Sequence, residues 1–358
     1  MKALFVCGTW NENGGKPSKI CDTICSVLPT YFITQTFNGG YLDTLQPLVD
    51  VSVKYDAVIW FPNVSNKVAT KYVEQIKKKN YKCLLVTSKR NDGKYSLADL
   101  THRALANKAN LFVEFKKADR ISGRVLDPLG NVFADWTEDV ETLGKAMGAR
   151  LVELRSFTRV GSTQIGSAIE VPDDGKFFSL VRKSADIFHD LINNPANPSR
   201  FLGNASFRCQ NGFPSFRGDN GLIYVSRRNV EKRDVSKKSF VAINGNSLDR
   251  VEYYGEVKPS VDTPTQIKLY SYFKRINYII HGHVYLKYFP YSNKPIPCGA
   301  IEEFDEITRH FNPNHTFFGL NLKGHGFILL AQKLESMNDV IDGHGFMRRP
   351  MPEVCCGR

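Results

Sequence analysis

Several kinds of pattern are missing from this 358-residue chain, and each absence narrows what it can be. No apolar run approaches the ~20 residues that a membrane span needs, which argues against a membrane protein. The amino end, Met1-Lys2-Ala3-Leu4-Phe5-Val6-Cys7, turns polar too soon for a secretory signal and reads as a first strand, so a cytoplasmic protein is expected. The eight cysteines, at 7, 21, 25, 83, 209, 298, 355 and 356, lack zinc-knuckle spacing, and most fall inside predicted elements. Reduced thiols are therefore expected rather than a disulfide framework. The chain has no internal repeat, no low-complexity tract, no GxGxxG and no P-loop. It also lacks a recognition helix, an OB-fold pattern and an RNP pattern. A net charge of +12 calls for an anionic partner, and without a nucleic-acid motif that partner is expected to be a phosphorylated metabolite.

What is present is a globular composition, 42% hydrophobic and 23% charged, over a length that exceeds one usual core, so two domains are expected. Up to residue 160 or so, strand and helix signals alternate. Apolar strands are predicted at 3–7, 31–36, 57–61, 83–87 and 111–115, with helical patterns at 19–28, 44–49, 69–79 and 97–106. Such alternation argues a Rossmann-like or flavodoxin-like parallel sheet covered by helices, whose ligands lie outside the carboxyl ends of the strands. In the loop after the first strand, Gly8, Thr9, Gly14, Gly15 and Ser18 offer backbone and hydroxyl donors ahead of a helix start, a candidate nucleotide or anion loop. The polar loops 62–66 and 87–92 belong to the same sheet edge. Residues 125–133 read as a hairpin, 140–154 as a helix closing this first domain, 1–160, and 159–167, rich in Gly and Ser, as a linker.

The second domain is expected over 172–358, opening on a helix at 177–192. Its centre is the stretch 258–283, KPSVDTPTQIKLYSYFKRINYIIHGH. Residues 276–281 are apolar and β-branched enough for a buried strand, which points His281 and His283 the same way. Two imidazoles so placed are half of a site for zinc or a similar divalent ion. His325, in LKGHGFILLAQ, is a candidate third ligand, and His344, in GHGFMRRP, is its rival. A proline-started helix is predicted over 264–275. Asp262, just before it, reads as its N-cap or as a carboxylate for acid–base chemistry, and the two roles need not exclude each other.

Taken in order, Gly203-Asn204-Ala205-Ser206-Phe207-Arg208, the segment 222–227, Pro259-Ser260-Val261-Asp262, His281-Gly282-His283 and Gly324-His325-Gly326 resemble the motifs of the class II aldolase/adducin family. That family includes zinc-dependent fuculose-phosphate aldolases and ribulose-phosphate 4-epimerases. The resemblance is confined to the second half of the chain. It implies a class II aldolase-like α/β domain, with a mixed sheet flanked by helices, in a homo-oligomer. It further implies one divalent metal, zinc first, on His281, His283 and His325, with Asp262 as base and Asp305 as acid. Gly203, Asn204, Ser226 and Ser260 are the phosphate- and substrate-binding residues it implies. Arg227 and Val261 stand where the family has Gly and Ser, and no tyrosine follows Tyr291, although the family's enzymes use one. The implied activity is that of a metal-dependent lyase (aldolase) or 4-epimerase acting on a phosphorylated sugar or related carbonyl compound through an enediolate. Two other readings stay open: a non-catalytic, adducin-like metal-binding protein, and a nucleotide- or glycosyl-processing enzyme whose activity lies in the first domain.

Overall fold

The computed structural model describes residues 1–117, 120–128, 130–192, 203–208, 221–343 and 345–347. They form two compact units divided between Ser156 and Phe157.

The first unit runs β1 (Lys2–Asn11), α1 (Lys19–Ser26), β2 (Ile33–Tyr41), α2 (Leu45–Val51), β3 (Ala57–Asn63), α3 (Asn66–Lys79), β4 (Leu84–Arg90), α4 (Leu97–Ala106), β5 (Leu111–Lys117), β6 (Ile121–Leu126), β7 (Val132–Thr137) and α5 (Val140–Ser156). Parallel strands follow the order β2-β1-β3-β4-β5, a doubly wound order, and β6 and β7 continue the sheet antiparallel. Strands covered on both faces read as unbroken apolar runs. In β1, Phe5 and Cys7 meet Ile24 of α1 and Met147 and Leu151 of α5, whereas Leu4 and Val6 meet Val49 of α2 and Val73 and Ile76 of α3. Helix α4 seats Leu100 and Ala104 on Phe112 and Leu126. Strands β1 and β4 outrun their predicted ends because the backbone ladder continues beneath polar side chains; Trp10 and Asn11 still pair with Gly40 and Tyr41.

The second unit runs β8 (Ser162–Gly166), α6 (Gly175–Ile192), β9 (Asn204–Phe207), β10 (Leu222–Ser226), β11 (Phe240–Asn244), β12 (Val251–Tyr254), α7 (Thr263–Tyr272), β13 (Tyr278–Gly282), β14 (Tyr285–Leu286), α8 (Glu303–His310), β15 (Phe317–Leu322), β16 (Gly326–Ala331), α9 (Leu334–Asp342) and β17 (Phe346–Met347). Its large sheet has the order β15-β16-β13-β9-β10-β11-β12-β8. The expected linker at 159–167 is corrected here: residues 162–166 form edge strand β8, parallel to β12, with Ser162 opposite Val251. Its side chains are mostly exposed, so backbone pairing holds it, and apolar periodicity carries no trace of that.

Two layers of helix cover this sheet. Phe177, Phe178 and Val181 of α6, with Met337 and Ile341 of α9, pack on Ala205, Phe207, Ile280 and Leu329. On the opposite face Ile267 and Tyr270 of α7, with Ile307 of α8, pack on Ile223, Ile279 and Leu330. Each of these larger side chains contributes roughly 1.5–3 kcal/mol by leaving water. Buried Arg208 donates to the carbonyls of Tyr270 and Phe273, each at 3.2 Å, and to that of Lys274, closing the carboxyl end of α7. The arginine of the GNASFR segment thus anchors the helix whose other end carries Asp262. Among the described residues no helix is long and apolar enough to cross a membrane.

Candidate metal centre

Alternation along β13 puts Ile280 on the α6–α9 face and Ile279 on the α7–α8 face, so His281 belongs with α7 and α8. His281 pairs in register with Asn204 of β9 on one side and Ile328 of β16 on the other. The strand stops at Gly282, and His283 follows it directly. His325 stands in the turn between β15 and β16, where the Gly324 N–H donates to the Tyr285 hydroxyl at 2.7 Å. Glycine is required where these segments meet. A Cβ on Gly203, at φ +82°, would lie 2.5 Å from the His281 carbonyl oxygen, and one on Gly326, at φ +152°, would lie 2.0 Å from that of Gly282.

The three imidazoles converge. Ring centroids are 5.1 Å apart for His281 and His283, 4.4 Å for His281 and His325, and 4.9 Å for His283 and His325. One potential ligand atom from each lies within 4.8 Å of the others, and the same holds for the adjoining trio Asp262, Cys298 and His325. His281 Nδ1 is 2.6 Å from the Phe327 carbonyl oxygen, which can only accept, so Nδ1 carries the hydrogen and Nε2 the lone pair. His325 Nδ1 is 2.5 Å from Glu303 Oε1. Both Nε2 atoms are buried with no hydrogen-bond partner. Imidazoles oriented through Nδ1 by a carbonyl or carboxylate, with Nε2 left over, suit a divalent ion, and three nitrogen ligands leave a position for substrate.

Charge is distributed unevenly over the cluster. Burial, together with the charge of His325, pushes the His281 pKa down to about 3, so His281 is neutral at physiological pH. Burial also opposes charge on His325, but the Glu303 carboxylate and the Cys298 thiol outweigh it and hold His325 well above its ordinary value. Burial pushes Cys298 up to about 11. For Asp262, burial is outweighed by His325 and His281, by the Cys298 thiol and by the Gly299 N–H, and its carboxyl stays below the usual range.

Asp262 begins α7, yet its carboxylate makes no cap bond to the helix. Its oxygens instead accept from Asn204 Nδ2 at 2.7 Å and from the Cys298 thiol at 3.1 Å. Asn204 is set in turn by Gln266, which donates to its Oδ1. Ser226, fully buried, accepts from the Ala205 N–H at 3.1 Å, and its carbonyl accepts from the Ser260 N–H at 3.1 Å. The segments holding Gly203, Asn204, Ser226 and Ser260 therefore interlock beside the histidines, with Asn204 spent on orienting Asp262.

Asp305 is not brought to the cluster: it lies on the exposed face of α8, and the acid that reaches a histidine is Glu303, on the buried face of the same helix. His344 lies outside the described residues. Three further groups at the centre carried no recognised signal in the sequence. They are Glu303, Cys298, which the IPC segment at 296–298 marks only as a landmark, and Lys232. Lys232 is buried, and burial lowers its pKa to about 8 against the opposing pull of Glu231 and Asp262.

In the first unit, Gly8 and Thr9 belong to β1 itself and Gly14, Gly15 and Ser18 follow it, and their donors are largely consumed. The Thr9 N–H goes to the Lys16 carbonyl at 2.9 Å, that of Gly14 to Asn11 at 3.3 Å, that of Gly15 to Gly40 at 2.8 Å, and that of Ser18 to Asn38 Oδ1 at 2.7 Å. Ser18 Oγ caps α1 by accepting from the Cys21 N–H. A loop so occupied has few hydrogens to offer an anion.

Residues 198–286, within the second unit, match the family model of the Class II Aldolase and Adducin N-terminal domain, and residues 1–156 of the first unit lie before the match. Among solved structures, an L-fuculose 1-phosphate aldolase is 14% identical, with 52% of this chain and 87% of that one covered at a TM-score of 0.34. YgbL of Escherichia coli, described as a candidate aldolase/epimerase/decarboxylase, is 12% identical over 48% of this chain and 85% of its own, at a TM-score of 0.34. The N-terminal Class II Aldolase domain of a conserved Thermoplasma acidophilum protein is 16% identical over 49% and 94%, at a TM-score of 0.31.

Proposed function

We propose that the second unit is a divalent-metal-dependent enzyme of the aldolase or 4-epimerase kind, acting on a small phosphorylated carbonyl compound. The observation that carries this is a pair of buried imidazole Nε2 atoms without partners, in a three-histidine cluster beside an ionised aspartate. His281, His283 and His325 would hold the ion, zinc being the first choice for an all-nitrogen set. When bound, such an ion supplies Lewis-acid polarisation of a substrate carbonyl.

The chain's own groups do the rest. The Phe327 carbonyl and the Glu303 carboxylate fix the ring orientations of His281 and His325. Asp262, held ionised and aimed by Asn204 and Cys298, accepts the substrate proton. Lys232, a cation beside Asp262, favours an anionic substrate over a neutral one. Ser226 and Ser260 serve the phosphate, within a cytoplasmic homo-oligomer.

The test is turnover of a panel of ketose phosphates by metal-loaded protein and by Asp262→Asn. Wild-type activity with retained metal and a loss of about 10²–10⁴-fold in kcat for the variant is the expected result. Metal-loaded wild-type protein inert toward the whole panel would favour a metal-binding protein without catalysis.

A further inference from the structure

The first unit contains a cleft of its own, of about 40 Å³, between α3 and α4 on the face of the sheet that carries Trp60 and Leu85. Alternation brings Trp60 and Pro62 of β3 and Thr87 and Lys89 of β4 to that face, and each of them lines the cleft. Arg103 and Asn107 close it from the α4 side, over an apolar floor that includes Phe112. No carboxylate lines it. Trp60 is 3% exposed and its indole N–H, which can only donate, is buried without an acceptor. Lys89 spends one hydrogen on Asn66 Oδ1 at 2.8 Å and has two more. Among the described residues neither Lys89 nor Arg103 takes part in any ion pair that the structure forms.

We infer that this cleft is a phosphate-binding site, separate from the second unit's centre, in which Lys89, Arg103, the Thr87 hydroxyl and the Trp60 N–H receive one phosphate group, free or at the end of a small metabolite. The lining residues that carry these donors come from two neighbouring strands and a helix, and no carboxylate is among them. A buried donor without a partner costs free energy that only an arriving acceptor restores. The size agrees: about 40 Å³ holds roughly three waters, room enough for a phosphate group. Burial and the nearby Arg103 both lower the Lys89 pKa, as two cations facing one cleft require. The cleft also opens near the carboxyl ends of β3 and β4, the edge where sheets of this winding take ligands.

The experiment is calorimetric titration of the full chain with inorganic phosphate and pyrophosphate at millimolar concentration and constant ionic strength, chloride serving as the control anion. Wild-type protein, Lys89→Met/Arg103→Met, Trp60→Phe and Ser260→Ala are compared, each checked for native circular dichroism. A binding event that weakens at least about tenfold in the double variant and measurably in Trp60→Phe, and that persists in Ser260→Ala whatever that variant removes at the second unit's centre, is the expected result. Wild-type protein that binds neither anion overturns the proposal, as does phosphate binding equal in wild type and in a folded Lys89→Met/Arg103→Met protein. Phosphate binding lost in Ser260→Ala alone also overturns it, and assigns the anion to the second unit. Should the double variant not fold, the single variants Lys89→Met and Arg103→Met decide, read together with Trp60→Phe, which removes the N–H along with part of the ring.

Discussion

The loop at the end of β1 and the turn before β16 make an instructive pair. Both are glycine-rich, and both precede or join regular elements. In the first, the N–H groups of Thr9, Gly14, Gly15 and Ser18 find oxygens within the unit, and the glycines serve close packing. In the second, glycine lets three segments approach until His281, His283 and His325 share one space, and two buried nitrogens are left over. A glycine-rich turn therefore means little until its hydrogen bonds are counted. A fully satisfied loop stabilises its own fold; a cluster with unused buried donors or acceptors has been kept for something outside the chain.

The contrast breaks most visibly at the histidines. His281→Ala with His283→Ala is expected to reduce bound metal from about one ion per chain to none by elemental analysis. Retained metal in that protein would show that the cluster is not the centre. A sharper probe is Glu303→Gln, which keeps the volume and removes the charge behind His325. Metal affinity is expected to fall by about 10–100-fold in competition with a chromogenic chelator.

The pH dependence follows from the same bond. At low pH a proton occupies the His325 Nε2 that the ion needs, so affinity rises as pH is raised. The Glu303 carboxylate, bonded to Nδ1, stabilises the charged ring, and Glu303→Gln should therefore move the dependence to lower pH. His281, with a pKa of about 3, adds nothing to it near neutrality. An unchanged affinity profile in the variant would remove Glu303 from the description of the centre. The smallest effect belongs to the other loop. Ser18→Ala removes the cap of α1 and should cost about 1 kcal/mol of stability in denaturant unfolding, without altering metal content.

Much of this was legible in the residues alone. Five apolar runs separated by helical patterns predict the parallel sheet, since strands buried on both faces must be continuously apolar and helices must cover them. The ordered segments GNASFR, PSVD, HGH and GHG mark the backbone of the second unit, and His281, His283 and His325 do converge. Strand β8 escaped because an exposed edge strand is held by backbone bonds, which leave no mark on side-chain polarity.

Between Asp305 and Glu303 the local sequence offers no choice: both are acids in the first turn of α8, and only the angle at which that helix packs turns Glu303 inward. For Asp262 the chain permits a cap or a reactive carboxylate, and Asn204 and Cys298, 58 and 36 positions away, draw it from its own helix. The cleft of Trp60, Lys89 and Arg103 is likewise assembled from separate elements. Short-range pattern thus determined which elements form and which residue types were at hand. Tertiary packing decided which polar atoms are buried together and which are left without partners, because that depends on contacts between residues distant along the chain.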